Sequence, residues 1–287
     1  MADGAKFVFF GTPEFAAIVL EKLIAAGFFP AAVVCNPDRP VGRKKIVTPP
    51  PVKTRILNLE SGIKNRIAIL QPENLIDSKF QILDSKPDFA IVAAYAKIIP
   101  QELLGLFPKG VLGVHPSLLP KHRGASPIQS AILNGDEETG VTLYMLDEKM
   151  DHGQIVSSVK CQASSADTYE TLLKKLAELG GGLLAKTLPN LLAGKIRPVP
   201  QDEKLATYTK KFKTEDGLIS SEDLERALAG DENLAQSIDR KIRAFNPEPG
   251  AWTIISGKRT KLLAAQIQGG KLILRQIQTE GERPKKV

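Results

Sequence analysis

KFVFFGTPEFAAIVLEKLIAAGFFPAAVVCN, residues 6–36, decides the fold. KFVFF (6–10) is a short apolar run that stops at Gly11, as a buried strand does. FAAIVLEKLIAAG (15–27) has apolar residues at helical spacing and ends on a glycine. AAVVCN (31–36) is a second apolar run. Strand, helix and strand in this order form a βαβ unit, which requires a parallel sheet with a right-handed crossover. The turn between the first strand and the helix is GTPEF (11–15). A dinucleotide fold would need G-x-G-x-x-G there, so that backbone can approach a pyrophosphate. Only Gly11 is present, and Pro13 has no N–H to offer. The unit therefore reads as Rossmann-like without a nicotinamide-cofactor fingerprint.

Further strand candidates follow at PDFAIVAAY (87–95), GVLGVH (110–115) and GVTLYML (140–146), with QIVSSVK (154–160) as an edge strand. SPIQSAILNG (126–135) and 168–192 are helical in pattern. Residues 1–193 thus read as one doubly wound α/β domain with a parallel sheet. The proline-punctuated segment 194–213 reads as a linker. Residues 214–287 contain two helical stretches, 220–230 and 233–245, then three β candidates at 251–256, 260–267 and 271–278. This second domain is smaller, mostly β and basic. The expected class is α/β, a Rossmann-like parallel-sheet domain followed by a small β domain.

The chain has 287 residues, 43% hydrophobic and 25% charged, as an ordinary globular protein does. Its two cysteines, Cys35 and Cys161, offer no disulfide framework, which suits a reducing cytoplasm. No apolar stretch approaches the ~18 residues of a membrane span. The apolar start is broken by Gly11, Pro13 and Glu14, unlike a signal peptide. A monomer is the default expectation. The net charge is +7. The last fifty residues alone carry eleven basic and four acidic side chains. A second basic island holds Arg39, Arg43, Lys44, Lys45, Lys53 and Arg55 with no acid between them. One such island is usually a solvated face; two separated ones favour a polyanionic partner such as nucleic acid.

VLGVHPSLLPKHRG (111–124) carries the clearest chemistry. His115 ends an apolar strand, and open α/β sheets place their ligands at strand carboxyl ends. A lone histidine is more often structural. Pro116 and Pro120 stiffen the loop after it, and Asp151 lies in a turn after another strand. A carboxylate beside an imidazole fixes its tautomer and suits it to proton transfer. Ser117 lacks the strained elbow of a serine nucleophile. His115, His122 and His152 have no standard zinc spacing.

The stretch 113–155, GVHPSLLPKHRGASPIQSAILNGDEETGVTLYMLDEKMDHGQI, resembles the signature region of formyltransferases that use 10-formyltetrahydrofolate. FFGTPEFA (9–16), CNPDRPVGRKK (35–45), IRAFNPEPGAW (242–252) and LILRQIQTEGERPKK (272–286) narrow the resemblance to the methionyl-tRNA formyltransferase family, collinear over nearly the whole chain. The resemblance implies a catalytic pair at His115 and Asp151. It implies folate contacts at Ser117, Leu118, Leu119 and Pro120, and a pterin-pocket segment at Ala94, Tyr95 and Ile98. It implies that Arg39, Arg43, Lys44 and Lys45 reach the acceptor end of initiator methionyl-tRNA. It implies an OB-like C-terminal domain in which Arg243, Lys258, Arg259 and Lys261 meet tRNA phosphates, and it implies no metal. Two departures stand out. Gly113 occupies the position of the family's asparagine, whose side chain would donate to the reacting oxyanion; losing one such donor costs about 10²–10³ in rate. From sequence alone, Gly113→Asn is expected to fold and to speed transfer. The second departure is that three β candidates fall short of the five strands of a full OB barrel. The rival readings are a sugar-nucleotide N-formyltransferase, expected to lack a basic C-terminal domain, a glycinamide ribonucleotide formyltransferase, expected to stop near residue 200, and a folate- or tRNA-binding protein with weak turnover.

Overall fold

The computed structural model describes residues 5–42 and 44–287. By contacts the chain divides into two compact units. The first comprises residues up to Arg123, Gly140–Cys161 and Lys174–Thr207; the second comprises Gly124–Thr139, Gln162–Leu173 and Tyr208–Val287. The proline-punctuated segment expected to be a linker is therefore split. Residues 194–207 belong to the first unit and 208–213 to the second.

The first unit is built on a seven-stranded sheet: β1 (Phe7–Gly11), β2 (Ala32–Val34), β3 (Ala68–Leu70), β4 (Phe89–Ala93), β5 (Val111–His115), β6 (Glu138–Met145) and β7 (Ile155–Gln162). The spatial order is β7-β6-β5-β4-β1-β2-β3. β1 pairs in parallel with both β2 and β4, and the chain reverses its direction of growth between them. That is a topological switch point, the crevice where open α/β sheets bind ligands. β4 and β5 are parallel, so Gly11, Ala93 and His115 end at the same sheet edge. β6 departs from the expected all-parallel sheet: it runs antiparallel to β5, with Gly113 opposite Tyr144 and His115 opposite Thr142. The five residues of β1 are all buried, as a strand covered on both faces requires. One face packs Val8, Phe10, Val34, Ile82, Leu103 and Phe107 together. On the other, α1 (Glu14–Ala25) and a 24-residue helix (Tyr169–Leu192) approach closely through glycine: a Cβ on Gly181 would stand 2.5 Å from that of Lys22. Gly11 is equally confined, since a Cβ there would lie 2.6 Å from Ala16 Cβ and 2.9 Å from the Ala93 carbonyl. β3 escaped the sequence reading because it is only three residues long and part-exposed, at the end of the short apolar run IAIL (67–70).

In the second unit, two helices pack on an antiparallel sheet of four strands: Trp252–Ile255, Lys258–Gln268, Lys271–Thr279 and Lys285–Lys286, in that order. The helices are Ser221–Ala229, whose amide of Asp223 is capped by Ser220 Oγ, and Glu232–Phe245, capped by Asp231. Their apolar faces meet the sheet through Leu224, Ala235, Ile238, Ile242, Leu262 and Leu272. Among the described residues no pairing between the outer strands closes this sheet into a barrel.

Candidate active site

The period of two along a strand places Gly113 and His115 on one face of β5. The antiparallel register then puts Tyr144 across from Gly113 on that same face. His115 is 6% exposed. Its Nε2 lies 2.8 Å from the His122 carbonyl oxygen. A carbonyl only accepts, so Nε2 carries the hydrogen and Nδ1 is left as the basic nitrogen, an assignment made from the partner. Nδ1 faces Asp151 Oδ2 at 3.6 Å. The structure thus brings together the two residues that the sequence paired from a strand end and a separate turn. Tyr144 completes the group: its hydroxyl donates to Asp151 Oδ1 at 2.6 Å, and its ring meets the His115 ring edge-on, with centroids 6.4 Å apart. Burial, then the charge of Asp151 and the hydrogen bond to it, hold the Tyr144 phenol well above the usual tyrosine range, so it stays protonated.

The space beside Gly113 is filled. A Cβ there would collide with Tyr144 Cε1, lie 2.6 Å from Cζ and 2.7 Å from Leu146 Cδ1. The expectation that an asparagine would fit at 113 is therefore corrected: the tyrosine ring occupies the volume its side chain would need.

Backbone geometry holds both loops. His122 and Asp151 have positive φ, 61° and 51°. Gln201 Nε2 donates to the carbonyls of Asp151 and Gly153, at 2.9 and 2.8 Å. Its Oε1 accepts from Arg123, whose guanidinium also engages both carboxylate oxygens of Glu203. Arg123 is fully buried. The Arg123 hydrogen bond holds the Glu203 carboxyl below its ordinary range. Thr207 Oγ1 accepts from the His122 amide. Sequence reasoning missed Tyr144, Arg123 and Gln201. Arg123 lies at the end of 111–124, a stretch read for its histidines, prolines and serine, and nothing local signalled the others.

The Ser117–Pro120 loop is pinned to β6. Leu119 N–H donates to Thr142 Oγ1, which itself donates to the Ser117 carbonyl. Ser117 is buried, and its hydroxyl donates to the Lys121 carbonyl, so this side chain is engaged within the protein. Leu119 is buried, while Leu118 and Pro120 are half-buried. Ala94 takes φ 46° just past β4. Tyr95 packs edge-on against Phe10. Burial, with the nearby Cys35, pushes its phenol up to about 12. Tyr95 Oη and Asn36 Oδ1 are buried without a hydrogen-bond partner among the described residues. Ile98 is 93% exposed. Unsatisfied buried polar atoms in the segments that follow β2 and β4, on either side of the switch point, suit a flat polar ring.

Among the described residues no three His, Cys, Asp or Glu side chains form a metal-holding group. His152 instead pairs with Asp147 at 2.6 Å. No described helix is long and apolar enough to cross a membrane.

Of the residues assigned to nucleic acid, Arg43 lies outside the described residues. Lys44 and Lys45 are exposed; Arg39 is exposed and paired with Glu73 at 3.3 Å. In the second unit Lys258 and Lys261 are exposed, and Arg259 stacks over Trp252 at 4.1 Å. Arg243 departs from expectation. It is turned inward, bound to Asp239 and to the Asp167 carbonyl, and its side chain is only 15% exposed.

Comparison with known proteins identifies the class first. The profile of the family described as formyl transferase matches residues 5–188, and that of the formyl transferase C-terminal domain matches 232–276. The fold matches a Helicobacter canadensis N-formyltransferase solved with folinic acid and dTDP-3-aminofucose (TM-score 0.64, 19% identity, 92% of this chain and 88% of that one). It also matches the methionyl-tRNA formyltransferase of Clostridium thermocellum (TM-score 0.59, 18% identity, 96% and 99%). In sequence, the methionyl-tRNA formyltransferases of Halalkalibacterium halodurans and Bacillus subtilis are each 40% identical over 263 residues, 91% of this chain and 78% of theirs. That of Bacillus pumilus is 40% identical over 286 residues, 96% and 84%. The chain belongs to the methionyl-tRNA formyltransferase family.

Proposed function

We propose that this protein moves the formyl group of 10-formyltetrahydrofolate to the α-amine of methionine esterified to initiator tRNA. The observation that carries this reading is His115 Nδ1 facing Asp151 Oδ2 at the carboxyl end of the central strands, in a chain of this family. The amine nitrogen attacks the formyl carbon and forms the new C–N bond. Nδ1 of His115 takes the proton released from the nitrogen, and the Asp151 carboxylate balances the imidazolium so formed. The imidazolium and backbone N–H groups of the loop meet the negative oxygen of the tetrahedral intermediate. The bond from carbon to the folate nitrogen then breaks, and that nitrogen takes a proton back from His115.

Tyr95, Asn36 and Ile98 are the surface we assign to the pterin, and the exposed basic residues Lys44, Lys45, Lys258 and Lys261 to tRNA phosphates. We place the protein in the cytoplasm as a monomer. The test is transfer of labelled formyl to methionyl-tRNA. His115→Ala is expected to lower kcat by about 10²–10⁴. Wild type that binds both substrates without transferring label would instead indicate a binding protein. Label moving only to an amino sugar nucleotide would reassign the acceptor.

A further inference from the structure

We propose that Tyr144 is the positioning residue of the His115–Asp151 pair, and that Gly113 is glycine so that the tyrosine ring can lie there. The inference rests on the reading of that pair as the proton-transfer couple. A carboxylate is a rigid fork: fixing one oxygen aims the other. Tyr144 Oη holds Asp151 Oδ1 at 2.6 Å, and this points Oδ2 at His115 Nδ1. Because the phenol stays protonated, it is a donor throughout the working pH range.

The ring is held on three sides. Gly113 lies beneath it with no room for a Cβ, His115 meets it edge-on, and the β5–β6 register fixes its height. The hydroxyl is spent on Asp151, so it acts through the carboxylate and not on the substrate. The main chain of Asp151 is anchored separately, since Gln201 holds its carbonyl. The backbone therefore stays in place when the phenol is removed, and only the aim of the carboxylate is lost.

The experiment compares wild type, Tyr144→Phe, Asp151→Ala and the double variant in the formyl-transfer assay, with KM for both substrates and melting temperature. Tyr144→Phe keeps the ring and removes one charge-assisted hydrogen bond. It is expected to lower kcat ~10- to 100-fold, with both KM values and the melting temperature near wild type. If the hydroxyl acts through Asp151, the double variant is no slower than Asp151→Ala. A purely structural tyrosine gives multiplicative losses and a lower melting temperature. Should Tyr144→Phe not fold, Gly113→Ala, which crowds the ring and leaves the hydroxyl, is compared with Asp151→Ala and their double variant on kcat alone, because this substitution lowers stability by itself. A Tyr144→Phe rate within threefold of wild type, or multiplicative effects, overturns the proposal. His115→Ala is run beside these. If it keeps full activity, the underlying reading fails; if it abolishes transfer while Tyr144→Phe does not, only this inference fails.

Discussion

At position 113 the geometry leaves room for hydrogen alone. Tyr144 Cζ and Leu146 Cδ1 stand 2.6 and 2.7 Å from where a Cβ would be, and both belong to a packed strand region that cannot swing aside freely. Overpacking of this kind costs about 1–3 kcal/mol. Gly113→Ala is therefore expected to destabilise the protein by that amount in chemical unfolding, and Gly113→Asn by at least as much. Shortening the facing side chain, as in Gly113→Ala with Tyr144→Leu, should recover part of the loss. A Gly113→Asn variant as stable as wild type would show that the ring does not fill this volume. His115 and Asp151 were legible in the sequence because each follows a recognisable strand. Tyr144 was not. Its face is defined only by the antiparallel register with β5, a contact between residues 31 positions apart, and GVTLYML reads as an ordinary apolar strand without it.

At the scale of elements, the segment after the long helix is a strap across the site loops. Val199 and Ile155 exchange two backbone hydrogen bonds of 2.8 Å. Gln201, Glu203 and Thr207 then reach the turns that carry Asp151 and His122. Proline and polar composition made this stretch look like a tether, since its partners are backbone carbonyls and one buried arginine that no local pattern reveals. β1, β2, β4 and β5 were legible for the opposite reason: being buried on both faces, they are continuous apolar runs. The strap has a pH signature. Glu203 bound to Arg123 has a folded pKa below its ordinary value of 4.5. A depressed carboxyl contributes stability that is fully present above the unfolded value and disappears as pH falls through the folded one. Glu203→Gln removes that contribution. The melting temperature of wild type should exceed that of Glu203→Gln by a constant margin above about pH 5, and the gap should close as the pH drops toward 3. A gap that persists at low pH would mean that packing, not the charge on Glu203, secures Arg123.

At the scale of the whole molecule, the first unit carries 24 basic and 16 acidic side chains and the second 15 and 16, so the net charge of +7 resides in the first; exposed Lys44 and Lys45 lie there, and Lys258 and Lys261 form a local basic patch on the second. Sequence alone located these islands but could not say which side chains share a face. The register of the second unit does. Trp252 pairs with Lys261, Ile254 with Arg259 and Ile255 with Lys258. Lys261, Arg259 and Trp252 therefore share one face of the sheet, and Lys258 points to the other. An aromatic ring beneath an arginine with a lysine beside it is a surface that suits a phosphate backbone with an unstacked base. Each lysine that neutralises a phosphate releases about one counterion, so its loss weakens binding and flattens the dependence of log K on log salt by about one. Lys261→Ala is expected to raise KM for methionyl-tRNA and lower that slope by about one, with kcat at saturating tRNA unchanged. Lys258→Ala, on the opposite face, should leave the slope within error of wild type. Titrations of both variants between 50 and 200 mM salt distinguish the faces. Equal slopes for the two would show that tRNA does not read this sheet from the tryptophan side.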